Sequence, residues 1–184
     1  MVRLGLWIFG ALLLGGIVHL STVLAMPQTA TQDAYSRLAR LAPVNVLTPL
    51  APPTAAEAVL PFMDPAFAVA VCRYDLSAGT LKLIAPVSQA YTSVTFYTRN
   101  SVAYYAINDR AAGRRAIELD LMTPQQHAQL PEEEGVTAAD RLIIDSPSAT
   151  GLIVLRALAP EVGMMPTAQA TLTRAQCRAV AQPQ

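Results

Sequence analysis

Few side chains in this sequence are placed to do acid–base or nucleophilic chemistry together. The two histidines are His19, inside an apolar run, and His127, inside the polar segment 125–129. Metal sites and catalytic triads need several histidine, cysteine or carboxylate groups that converge, and the sequence has neither an H-x-x-x-H spacing nor a C-x-x-C pair. A nucleophilic serine also needs a neighbouring base. We therefore predict no catalytic residue, no metal site and no cofactor.

A group of six other residues would line a ligand pocket if the fold brought their side chains together. They are Asp64, Asp75, Tyr91, Tyr97, Arg99 and Tyr104. Tyrosine and arginine orient bound ligands, and a carboxylate can act as a general acid or base. In this alternative interpretation, the protein is a small-molecule binder or hydrolase whose pocket lies between β-sheets.

Three arginines surround a glycine in the segment 108–115. Arg110, Arg114 and Arg115 could together hold an anion, a lipid head group or an acidic partner. The competing interpretation is a charged hairpin tip, because loops between strands lie at the surface and carry polar side chains.

The two cysteines, Cys72 and Cys177, lie far apart in the sequence. In an oxidising compartment, such a pair can form a disulfide that fastens the end of the chain to the core. Closing a loop of about 100 residues stabilises a fold by on the order of 4 kcal/mol. Two buried free thiols are the other interpretation, and the sequence leaves both open.

Composition indicates a folded protein that does not bind nucleic acid. Of the 184 residues, 53% are hydrophobic and 14% are charged, which is enough apolar surface to offset the entropy lost on folding. Thirteen basic and thirteen acidic residues give a formal net charge of zero, and no basic stripe alternates with aromatic residues. We therefore expect one ordinary domain, and we set nucleic acid aside as a ligand.

The N-terminal segment 4–25 contains no charged residue and is about 22 residues long, enough to cross a bilayer as a helix. Arg3 marks the cytoplasmic end, since cationic flanks stay inside. We predict a single pass through a bacterial inner membrane with the remaining chain in the periplasm. Because the run exceeds the roughly 7 to 15 residues of a signal-peptide core, an anchor is favoured over a signal peptide cleaved before Met26.

Three regions follow along the chain: the anchor or signal segment 1–26, a linker 27–62 and a domain 63–184. In the linker, the segment 31–41 has helical spacing of apolar residues behind Thr31 as a helix cap. Six prolines between positions 43 and 65 favour an extended path. We interpret this stretch as a semi-rigid spacer.

The domain contains about seven short segments in which apolar and polar residues alternate, a pattern typical of strands. These segments are 67–74, 81–85, 91–98, 102–107, 115–121, 141–145 and 151–158. The first two are expected to pair as a hairpin. A short helix should follow the cap Thr123 and Pro124, and a last helix should span 171–180. The pattern predicts a mainly β fold, an antiparallel sandwich or barrel-like domain with short helices.

The segment 63–109 resembles a bacterial envelope family catalogued as domain of unknown function 1254. The resemblance rests on Asp64, on the turn residues 75–77 with Gly79, and on Tyr91 and Tyr97, which stand in the places of that family's motifs. Phe67 and Thr80 depart from the pattern, where the family has a tyrosine and a turn proline.

The resemblance implies a non-catalytic protein with a protein partner. Longer members of the family look like two β-rich domains in series, the second being domain of unknown function 1214, and this chain is expected to carry the first. A separate polypeptide would then supply the second domain and cover an exposed sheet face or edge. We therefore expect a membrane-tethered envelope domain that acts through protein contacts.

Overall fold

The computed structural model of the chain describes residues 2–29, 33–54, 56–113, 115–130 and 142–180. The chain divides into two compact units, Met1–Asp33 and Ala34–Gln184. The helices are α1 (Val2–Thr29), α2 (Ala34–Leu38), α3 (Asp109–Ala112), α4 (Pro124–His127) and α5 (Met165–Leu172), with a 3₁₀ turn at Val162–Met164. The strands are β1 (Leu47–Pro49), β2 (Phe67–Asp75), β3 (Thr80–Pro86), β4 (Thr92–Thr98), β5 (Ala103–Asn108), β6 (Ala116–Met122), β7 (Leu142–Asp145), β8 (Thr150–Leu158) and β9 (Gln176–Val180).

Helix α1 belongs to the first unit and is apolar along nearly its whole length. Its stretch Val2–Met26 has 25 residues and a mean hydropathy of 2.0, and none of it is buried. The Thr22 hydroxyl donates a hydrogen bond to the Val18 carbonyl at 2.8 Å, so this polar group is satisfied within the helix. About 20 apolar residues suffice to cross the hydrocarbon core. The helix can therefore serve as a membrane anchor or as a signal sequence.

The second unit is built from two β-sheets that face each other. The five-stranded sheet has the order β1-β2-β8-β4-β5, and the four-stranded sheet has the order β7-β6-β3-β9. Every pair is antiparallel except β6 and β7, which are parallel. The predicted mainly β class is confirmed, with nine strands among the described residues where about seven were expected.

The core between the sheets follows from the alternation along each strand. Phe96 of β4 and Leu155 of β8 face inwards from the five-stranded sheet, and Leu83 of β3 and Leu119 of β6 face inwards from the other. All four side chains are at most 1% exposed. Leu172 of α5 belongs to the same cluster. Because side chains alternate between the two faces of a strand, the strands β2, β3, β4, β6 and β8 contribute every second residue to this core.

Part of the outer face of the five-stranded sheet is also covered. Leu38, Ala42 and Leu50 form a second buried cluster with Val71 of β2 and Leu152 of β8. Much of the stretch predicted to be a spacer thus packs against the sheet, and residues 47–49 form an edge strand. Pro49 belongs to this strand, and an edge strand tolerates a residue that lacks an N–H donor.

The predicted hairpin of β2 with β3 does not form. Both edges of β2 are occupied by β1 and β8, whereas β3 pairs with β6 and β9 in the other sheet. The turn between them carries the chain from one sheet to the other, with Leu76 buried at 1% exposure. The prediction was wrong because alternation alone does not distinguish strands that pair from strands that face each other.

The predicted last helix, 171–180, is also corrected. The helix α5 ends at Leu172, and the following segment forms the strand β9, which pairs with β3 along Thr80–Ile84. Pro166, near the start of α5, has a position that proline favours in helices. The short helix α4 is confirmed, with Thr123 and Gln126 forming a capping box. Thr31, the cap predicted for the first short helix, lies outside the described residues.

Candidate functional site

The six residues predicted to share a pocket do not converge. Asp64 and Tyr97 line a common cavity, but this cavity lies on the outer face of the five-stranded sheet instead of between the sheets. The Tyr91 ring packs edge-on against Phe67, with 6.5 Å between the ring centroids. The side chains of Asp75, Arg99 and Tyr104 each contact a different part of the fold. Between the two sheets, the described residues form a core of buried apolar side chains.

Tyr104 belongs to a polar network inside the core. Its hydroxyl lies 3.2 Å from the Tyr74 hydroxyl and 3.3 Å from the Ser146 hydroxyl, and Ser146 donates to the Ser148 carbonyl at 2.7 Å. The Tyr74 hydroxyl also donates to the Tyr97 carbonyl at 3.3 Å. Burial raises the pKa of Tyr104 far above its ordinary value. The phenol therefore stays protonated, and the network serves to satisfy buried polar groups.

Asp75 is part of the turn that follows β2. Its carboxylate accepts hydrogen bonds from the Ser77 hydroxyl at 2.6 Å and from the Ser77 backbone N–H at 2.9 Å. The Ser77 side chain, and then its backbone N–H, hold the pKa of Asp75 below its usual value. A general acid at neutral pH needs a raised pKa. Asp75 is thus an ionised turn residue rather than an acid catalyst.

Arg99 packs against Tyr35 of the short helix α2. Its guanidinium lies 4.2 Å from the centroid of the Tyr35 ring, and that of Arg73 lies 4.7 Å from the same centroid. Arg73 also donates hydrogen bonds to the carbonyls of Ala39 and Ala42, at 3.3 and 3.1 Å. Cation–π contacts and charged hydrogen bonds both stabilise such packing. These two arginines are therefore engaged in structure.

The cavity on the outer face has a volume of about 310 Å³. Val69, Leu152 and Val154 of the sheet form one side of it. Residues 60–64, in the last part of the proline-rich stretch, form the other side. The polar groups of its lining include Asp64 and Arg156. Sequence reasoning found Asp64 and Tyr97 but missed Arg156, since nothing local to β8 shows which neighbour its side chain faces.

The arginine-rich segment connects the two sheets. It contains α3, which begins after Asn108, whose side-chain oxygen accepts from the Ala111 N–H at 2.9 Å, and ends at Gly113 with a φ of 60°. Arg110 and Arg115 are exposed, and Arg114 lies outside the described residues. Because β5 and β6 belong to different sheets, the segment is a crossover and not a hairpin tip. An anion site here remains a proposal resting on charge alone.

His127 has a partner that the sequence did not reveal. Its Nδ1 lies 2.9 Å from an oxygen of Asp145, and both side chains are nearly half exposed. The pair joins the end of α4 to the end of β7, across a part of the chain that the structure does not describe. Among the described residues, no group of three or more histidine, cysteine or acidic side chains is arranged to hold a metal. We assign this pair a structural role.

A disulfide joins Cys72 of β2 to Cys177 of β9, with 6.5 Å between the two Cα atoms. Both residues are buried, at 0% and 6% exposure. The bond connects the five-stranded sheet to the four-stranded sheet through the core. Of the two interpretations left open by the sequence, the structure contains the disulfide.

Comparison with known proteins identifies a family and a fold. A family model described as "Protein of unknown function (DUF1254)" matches residues 44–179, which is most of the chain. The chain resembles the solved VPA0106 protein from Vibrio parahaemolyticus, with 12% sequence identity and a TM-score of 0.59 over 80% of this chain and 34% of that one. At this identity, the likeness shows the shared fold.

A second solved structure, of an uncharacterised protein from Burkholderia cenocepacia, has 15% identity and a TM-score of 0.49 over 75% of this chain and 35% of that one. This chain thus spans about a third of the length of these two solved proteins. No curated protein matches the sequence.

Proposed function

From the premise that this chain belongs to the family of unknown function DUF1254, we propose that it is a membrane-tethered, non-catalytic domain that binds another polypeptide. The helix α1 tethers it to the inner membrane, and the β-sandwich lies in the periplasm. Support for the location comes from the apolar helix with Arg3 at its N-terminal end. The disulfide fits an oxidising compartment as well.

The observation that carries the proposal is the outer face of the four-stranded sheet, which presents exposed charged side chains among the described residues. Lys82 and Ile84 of β3 point away from the core and are half-buried, while Glu118 of β6 and Arg178 of β9 are exposed. In the register, Lys82 lies between Asp120 and Arg178. The five-stranded sheet, by contrast, carries a buried apolar cluster on its outer face as well. A polar face that mixes both charges suits a partner that folds separately.

The expected partner is a chain carrying the companion domain of unknown function 1214. The solved Vibrio protein supports this expectation. The fold that it shares with this chain covers only 34% of the Vibrio protein, so in that protein the fold is joined to further polypeptide. We propose that for this protein a separate chain provides that companion domain. Its contact with the sheet face would bury charged side chains in pairs and give specificity.

Photo-crosslinking tests the proposed contact. A photo-reactive residue placed at Glu118 in the full chain, in membranes, is expected to give one discrete adduct with a second polypeptide. The control places the same residue at Glu57, which is exposed on the covered side of the other sheet, and no such adduct is expected. A chain that gives no adduct at position 118, and that elutes alone after mild solubilisation, would contradict the proposal.

The location has a separate test. Alkaline phosphatase, which needs periplasmic disulfides, is expected to be active when fused after Val180, and the fusion should stay in the membrane after a carbonate wash. Replacing the segment 4–25 by a cleavable signal peptide is the control, and it should release an equally active fusion. An inactive fusion to the full chain, or one recovered from the cytosol without detergent, would overturn the proposed topology.

A further inference from the structure

The cavity on the outer face is walled mainly by apolar side chains. Val69, Leu152 and Val154 lie on the sheet side, and Leu60 and Met63 lie on the side of the covering segment. Its volume of about 310 Å³ is roughly twice that of an apolar cavity of about 150 Å³ that holds one benzene molecule. It lies at the lower end of the roughly 300 to 1,000 Å³ typical of small-molecule pockets. The space therefore fits a compact apolar body of about two aromatic rings.

The cavity also contains one cation whose charge is not used by the fold. Arg156 of β8 lines it, and within the described parts of the chain no hydrogen bond or ion pair to its guanidinium is found. The arginines Arg73 and Arg99 on the same sheet, by contrast, are both engaged with Tyr35. Asp64, the acidic group at the cavity, accepts a hydrogen bond from the Ala66 N–H at 2.9 Å and so caps its own turn. Arg156 is thus the group available to a ligand.

Phe62 lies beside the cavity without filling it. This residue lines the cavity, yet its side chain is fully exposed, at 103%. Its φ of 60° lies in the left-handed region, which is strained for an aromatic residue by about 1 to 3 kcal/mol. The covering segment therefore places an apolar ring beside the opening instead of filling the space with it.

We propose that this cavity binds a small molecule with a compact apolar body and a single carboxylate. The apolar body occupies the space against Val69 and Val154, and the carboxylate accepts two hydrogen bonds from the Arg156 guanidinium at the solvent side. The planar fork of arginine matches the two oxygens of a carboxylate. The binding site is distinct from the proposed protein contact, which involves the other sheet.

Ligand-observed fluorine NMR tests the site on the full chain in phosphatidylcholine nanodiscs. The probe is fluoronaphthoate, and its uncharged amide serves as the matched compound, with empty nanodiscs as background. We expect the signal of the carboxylate probe to broaden saturably, and by more than it does with empty nanodiscs. The amide should bind about tenfold more weakly, because a factor of about ten corresponds to the loss of one charged hydrogen bond.

Three variants locate the binding. Arg156→Gln should weaken carboxylate binding about tenfold and so abolish the difference between the two probes, whereas Arg178→Gln, which changes an exposed arginine of the other sheet, should leave it unchanged. Val69→Phe fills the cavity and should abolish binding of both probes without lowering Tm. The inference is overturned by any of these results: no saturable binding above empty discs, equal binding of the two probes to the wild type, an equal loss in Arg178→Gln, or full binding to a folded Val69→Phe.

Discussion

The variant Gly151→Ala is expected to lose about 3 kcal/mol or more of stability, which lowers Tm by roughly 6 to 12 °C for a domain of this size. Gly151 lies in β8 opposite Tyr74 of β2 and Thr98 of β4. A Cβ at this position would overlap with the Tyr74 hydroxyl and with the Tyr97 carbonyl. The carbonyl belongs to the backbone of a central strand, so it cannot move aside without disturbing the sheet.

The position also lies beside the buried polar network. The Tyr74 hydroxyl donates to the Tyr97 carbonyl at 3.3 Å and contacts Ser146 at 3.0 Å, so a displaced Tyr74 leaves several buried polar groups without partners. Adding Tyr74→Phe to Gly151→Ala should not restore stability, because the overlap with the Tyr97 carbonyl persists.

Gly163→Ala is the matched control for this substitution. An added Cβ at Gly163 meets no atom within 4 Å, so its Tm should change by no more than a degree or two. Thermal unfolding of the full chain in mild detergent, followed by near-ultraviolet circular dichroism, measures both variants. If the two glycine variants unfold at the same temperature, the close packing around Tyr74 is contradicted.

Removing the disulfide is expected to cost about 2 to 5 kcal/mol. Cys72 and Cys177 are 105 residues apart in the sequence, and opening so long a loop increases the entropy of the unfolded chain. In the chain-entropy model, a loop of about 100 residues corresponds to about 4.7 kcal/mol. The double variant Cys72→Ala, Cys177→Ala is preferable to serine, because a buried hydroxyl at either site would need a partner.

The effect of a reductant on the urea midpoint of unfolding distinguishes the stability due to the disulfide from the stability due to side-chain packing. The urea midpoint of the wild type should fall when a reductant is added, whereas that of the double alanine variant should already be low and should not respond. Mass spectrometry after alkylation under denaturing, non-reducing conditions provides the direct check, and no thiol should be labelled. A wild type that binds two alkyl groups, with a midpoint insensitive to reductant, would show that the disulfide is absent.

Local sequence patterns determined the class of structure and the apolar N-terminal segment. Alternation in segments such as 91–98 depends only on which side chains face a core, so it identifies strands in any topology. The cap Thr123 was also predicted, because capping joins residues only a few positions apart, and in the structure it forms a capping box with Gln126. The length and composition of the segment 4–25 likewise suffice to identify a helix able to cross a membrane.

The candidate sites depended on contacts between distant parts of the chain. Asp64 and Arg156 line one cavity although 92 positions separate them, while Tyr104 faces a different network in the core. Nothing local distinguishes these cases, because a strand pattern fixes the face of a side chain but not its neighbours. Residues that their chemistry alone had grouped therefore lie in different parts of the fold.

The sequence by itself determined an apolar N-terminal helix and a mainly β body, because length, hydropathy and period-two alternation are properties of consecutive residues. Only the tertiary structure decided the pairing of the strands, the packing of the proline-rich stretch on the sheet, the strand at Gln176–Val180 in place of a helix, and the bond between Cys72 and Cys177. These features result from burial and hydrogen bonding between segments distant in sequence, and such interactions leave no local periodic signal.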